Sequence, residues 1–171
     1  MKSITILILT LTFFGCTQKE SKNTPTFESI DYSFFVGYFQ SIKILSNGTT
    51  NISDSSGYTG TKFYSLTLNK SVLDSLSKMT NLLFSLKLDR IYTAQICDHP
   101  ISFSLIIKTK EKTISTSYHG DQNETQWNSL FHMSEYLRNI CKKEMEHIDS
   151  TFIFESKSRL ILPPPPTPRL K

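Results

Sequence analysis

Apolar and polar positions alternate along residues 27–118 in the manner of a sheet, with one helical interval. Residues 27–36 are aromatic and β-branched and predict a strand, which Gly37 interrupts, and residues 38–45 predict a second. Asn47-Gly48 predicts a hairpin turn with positive φ at both central positions, followed by a returning strand at 49–53. Asp54-Ser55-Ser56-Gly57 breaks the chain again, and Tyr64, Leu66 and Leu68 then share one face of a further strand. Asn69 is a helix N-cap, and Val72, Leu73, Leu76, Met79, Leu83 and Leu86 recur at helical spacing behind it as a core-facing stripe. Residues 88–100 read as a connecting loop. Ile101, Phe103, Leu105 and Ile107 alternate with Ser102, Ser104 and Ile106, predicting a half-buried strand. Lys110-Glu111-Lys112 is a polar turn, residues 113–118 return as a strand, and residues 119–123 turn. A second helix is expected over 124–143, with Trp127, Leu130, Phe131, Leu137 and Cys141 on one face. Lys142 and Lys143 sit in its last turn, where cations complement the helix dipole. Residues 151–154 read as an edge strand or a docking segment, and residues 163–168 as an extended polyproline run that leaves the fold.

Strands, helix, hairpin and helix joined by short connections predict an α+β fold. The expected form is an antiparallel sheet of five to six strands with two helices packed on one face. The chain divides into an export signal at 1–15, a polar tether at 16–26, one globular domain at 27–155 and a Pro-rich tail at 156–171.

The signal rests on the first residues. Lys2 supplies a positive charge, residues 4–14 form an apolar run, and Gly15-Cys16 closes it. The run is too short for a spanning helix, which needs roughly 20 apolar residues. A small residue directly before a Cys, at the end of such a run, resembles the lipobox of bacterial lipoproteins. Phe13 and Phe14 replace the Leu and the Ala or Ser most common in that pattern. The resemblance implies cleavage before Cys16, acylation of its thiol and a body tethered to the membrane. Each buried methylene contributes about 0.8 kcal/mol, so two or three acyl chains on Cys16 hold essentially permanently. The implied location is the cell envelope, at the inner or outer membrane or the cell surface. The body carries a second resemblance. Residues 39–48, the helix around 73–83, and Tyr92 with Asp98-His99-Pro100 before an Ile-rich strand are similar to an uncharacterised domain of small Bacteroidota-type lipoproteins. That family has no established activity to carry over.

Composition narrows the partners. The chain has 171 residues and a formal charge of +4, and removal of Lys2 with the signal lowers it by one. Lys and Arg are scattered, with no basic stripe, so nucleic acid is not an expected partner. Twelve Phe and seven Tyr gather toward the early strands. Phe34, Phe35, Tyr38 and Phe39 are too contiguous to face one core. They imply either a sheet covered on both faces or an aromatic surface for an envelope protein or glycan. The Pro run offers a second partner surface.

Candidate chemistry is sparse. With Cys16 acylated, Cys97 and Cys141 remain as a candidate disulfide, with two buried free thiols as the alternative. A bridge would close a loop of about 45 residues and contribute on the order of 3–4 kcal/mol in the chain-entropy model. Asp98-His99 and the 119–121 loop, with His119 and Asp121, could hold a divalent metal if the sheet brought them together. His132 and His147 read as surface residues. No catalytic residue, cofactor site or metal site is assigned: the chain lacks G-x-S-x-G and has only six Gly. The expected function is a lipid-anchored binding or structural module. An anchored hydrolase or metal-binding protein using the 98–99 and 119–121 loops, and a periplasmic inhibitor or immunity-type protein, are the alternatives.

Overall fold

The computed structural model describes residues 26–35, 37–55, 60–88, 90–93, 101–120, 128–143 and 145–160. Thr26 is tied to Ser77 through its backbone N–H and its hydroxyl, and the first strand follows at once. In chain order the elements are β1 (Ser29–Phe35), β2 (Phe39–Leu45), β3 (Thr49–Asp54), β4 (Lys62–Thr67), α1 (Lys70–Ser85), β5 (Ile91–Thr93), β6 (Ile101–Lys108), β7 (Thr113–Gly120), α2 (Asn128–Ile140), β8 (Glu146–His147) and a 3-10 turn at Glu155–Arg159. The protein is α+β, as the pattern predicts. The sheet is larger and less uniform than expected, with eight strands in the order β5-β7-β6-β1-β2-β3-β4-β8. All neighbours are antiparallel except β5 and β7, which run parallel. β5 lies inside the stretch expected to be a loop. Only Tyr92 of its three residues is buried, so it has no alternation long enough to register as a strand.

β1 is central, pairing with β2 on one side and β6 on the other through registers of seven residues each. Its alternate residues therefore define both faces. Ile30, Tyr32 and Phe34 point one way and meet Ile42 and Ile44 of β2, Ile52 of β3, and Phe103, Leu105 and Ile107 of β6 in a single buried cluster. Leu73, Leu76 and Leu83 of α1 and Leu130, Met133, Leu137 and Ile140 of α2 belong to that same cluster. Tyr32 reaches α2 through a buried hydrogen bond between its hydroxyl and that of Ser134.

The helix signal is accurate at the start of α1 and generous at the ends of both helices, while the start expected for α2 at 124 lies outside the described residues. Asn69 caps α1, its side chain accepting from the Val72 N–H at 3.1 Å. α1 stops at Ser85, which leaves Leu86 exposed. Arg138, rather than Lys142 or Lys143, occupies the last turn of α2, and its guanidinium lies over the Phe34 ring. Trp127 lies outside the described residues. The β2–β3 turn also differs from expectation. Gly48 alone has positive φ, its N–H donates to Leu45 O, and the Asn47 side chain accepts from the Thr49 N–H. This is a three-residue loop ending in a left-handed glycine, not a two-residue turn. A Cβ on Gly48 would lie 2.7 Å from Leu68 O, so the site admits only glycine.

Candidate functional site

The second face of the sheet is built from small polar residues. Register aligns Ser53, Ser41, Ser33, Ser104 and Ser117 in one row across β3, β2, β1, β6 and β7. Phe63 of β4 ends the row on one side and Ile91 of β5 on the other. Short side chains flanked by Phe35, Phe39 and Ile106 make a trough across the strands. All five serines are buried, because the chain beyond β8 lies in the trough.

That C-terminal strap is held by side chains, not by a ladder. Phe152 meets Phe63 edge-on at 6.3 Å between centroids. Lys157 sits over the Phe39 ring, which packs on Phe35. At the centre the carboxylate of Asp31 accepts from the backbone N–H groups of Glu155 and Ser156 and from the Ser156 hydroxyl. A buried carboxylate thus caps the start of the 3-10 turn, where unpaired N–H groups and the positive end of the peptide dipoles meet. The Ser33 hydroxyl bonds to both Ser156 and Ser41 at 2.7 and 2.6 Å. Farther along, Ser117 donates to Arg159 O, and the Arg159 guanidinium donates to Ser115. Glu155 is shared by Lys108 at 2.6 Å and Arg159 at 3.3 Å. The hydrogen bond from Lys108, aided by the charge of both cations, holds its carboxyl below the usual range.

The contacts of the strap therefore run through Arg159. The segment 151–154 is a docking segment and not an edge strand, with Phe154 buried. The edge beside β4 is instead taken by the two-residue β8. Both sheet faces are covered, and of the contiguous aromatics only Tyr38 is exposed.

The strap leaves the trough open at each end. Over β3 and β4 a cleft is walled by Phe63, Phe152, Phe154 and Ile153, the last almost fully exposed. Over β7 and β5 a cleft of about 350 Å³ is lined by Arg90, Ile91, Ser115, Ser117 and Arg159.

The residues singled out from sequence meet only in part. Cys16, Cys97, Asp98, His99 and Asp121 lie outside the described residues. His119 is not in a turn: it belongs to β7, is buried, and its Nδ1 contacts the hydroxyl of Ser102 across the β6–β7 pair. Neither residue is open to a substrate. No group of three or more metal-ligating side chains is present among the described residues. His132 and His147 are exposed. Cys141 is a buried free thiol whose pKa burial pushes up to about 12, so it is a poor nucleophile at neutral pH.

Sequence reading missed Asp31, the serine row and the arginines. Two of these left a signal: Asp31 is the sole acid of β1, and Ser recurs with period two in β6 and β7. No family model matches the chain, and no curated protein matches it.

Proposed function

We propose that the chain is a lipid-anchored protein of the cell envelope whose body is a binding module. The observation that carries the anchor is the order of segments. A charged start, an apolar run and Gly15-Cys16 are followed by a polar spacer and then by the described body. Among the described residues no helix is long and apolar enough to cross a membrane, so attachment in this reading falls to the acyl chains on Cys16. The binding surface is the strapped trough with its two open ends. One end is aromatic and the other cationic, which suits a partner in the envelope that carries both apolar and anionic groups.

The anchor is tested by fractionation. Cys16→Ser removes the only atom to which the lipid is attached in this scheme. The variant is expected to move from the membrane pellet to the soluble fraction, with loss of label from a radioactive fatty acid. A variant that still pellets at high salt would overturn the proposal.

A further inference from the structure

The cleft over β7 and β5 combines features that no structural need accounts for. The 3-10 turn brings Arg159 to this cleft, and Arg90 joins it just before β5, its carbonyl accepting from the Ser117 N–H at 3.1 Å. Charge is unbalanced here. Lys108 and Arg159 divide one carboxylate, that of Glu155, between them. Arg90 has no acidic partner within ion-pair distance among the described residues. Ile91, a large aliphatic side chain that is 60% exposed, lines the same cleft.

We infer that this cleft binds a small carboxylate with an apolar group beside it, of the kind found at the C-terminus of a peptide. The donor inventory points to a carboxylate. Arg90 offers one unused planar fork, which matches two coplanar oxygens. Ser117 already donates to Arg159 O, while Ser115 accepts from Arg159 and keeps its own O–H. Among the described lining residues this leaves the Arg90 fork and one hydroxyl, fewer donors than the three outer oxygens of a phosphate demand. Glu155 shows the same chemistry from within the chain, a carboxylate held between two cations. Ile91 supplies the apolar wall that a bare inorganic anion would not use. A volume of about 350 Å³ stands at the small end of ligand sites, roughly 300–1,000 Å³, enough for one terminal residue and not for an oligomer.

The inference deepens the binding reading and rests on it, but not on the lipid anchor, so a failed titration leaves the fractionation result of Cys16→Ser untouched. The experiment is calorimetric titration of the full chain in non-ionic detergent with three probes: N-acetyl-leucine, N-acetyl-leucinamide and inorganic phosphate. N-acetyl-leucine is expected to bind, its neutral amide not, and phosphate more weakly than the acid. Arg90 is exposed and makes no ion pair among the described residues, so Arg90→Gln should fold normally by circular dichroism. It should weaken the acid about tenfold, the loss expected when one charge-assisted partner is removed. Equal binding of acid and amide, tighter binding of phosphate, or an unchanged Arg90→Gln affinity would each overturn the assignment, as would no binding at all.

Discussion

Thr80 shows how one atom can oppose the fold around it. It lies on the buried stripe of α1 between Leu76 and Leu83, fully enclosed, and its hydroxyl has no hydrogen-bond partner among the described residues. A buried hydroxyl without a partner costs on the order of 1–3 kcal/mol. Valine has nearly the same shape and is equally stiff at χ1, so Thr80→Val should raise stability by about 1 kcal/mol, read as a higher urea midpoint with unchanged slope. An unchanged midpoint would mean that the hydroxyl is satisfied in solution. Sequence reading placed Leu73, Leu76 and Leu83 on this face and passed over Thr80, because a hydrophobic pattern does not register a polar residue that packs as if apolar. Asp31 was overlooked for the same reason. Its partners lie more than 120 residues away, and nothing nearby in the chain announces them.

The strap is the element on which the second face depends. Asp31 receives three hydrogen bonds from it, and bonds to a charged acceptor contribute about 1.5–3 kcal/mol each before coupling. Asp31→Asn keeps the volume but removes the charge and turns one acceptor oxygen into a donor. It is expected to lower stability by about 2 kcal/mol and to expose the strap. Trypsin should then cut after Lys157 or Arg159 faster than in the parent, with the sheet core still intact. Equal cutting rates would show that Asp31 does not hold the strap. The elements legible in the sequence are those that carry their own signal: β1 to β4, the capped α1, and the β6–β7 hairpin. The parallel β5 and the two-residue β8 were not legible, and of the strap only 151–154 was, as one of two alternatives. Each is short, and each is stabilised by a distant partner rather than by local propensity. The cleft of Arg90 and Arg159 was hidden likewise, since its lining comes from segments about 70 residues apart in the chain.

At the scale of the whole molecule, two acidic protons are locked into the core. Burial drives the Tyr32 phenol well above its ordinary range, with the Ser134 hydrogen bond opposing only in part, and pushes the Cys141 thiol up to about 12. The unfolded chain releases these protons near pH ~10 and ~8.5, while the fold retains them. Stability from this source is complete below the unfolded values and falls as pH rises above them, by about 1.4 kcal/mol per pH unit for each proton retained. Urea unfolding between about pH 8 and about pH 11 should show that decline, and Cys141→Ala should remove the part that begins first. A flat profile would mean that neither group is sealed from water. The order of the strands has a consequence of another kind. The strand nearest the spacer is the one at the middle of the sheet, laced to neighbours on both sides along seven residues. Under the proposed anchor, a tug on the spacer would be resisted first by the clasp of Thr26 on Ser77 and then by β1 itself. Rows of hydrogen bonds on both flanks of β1 share a load applied along the strand, so such a mooring would hold the body by its keel rather than by its rim.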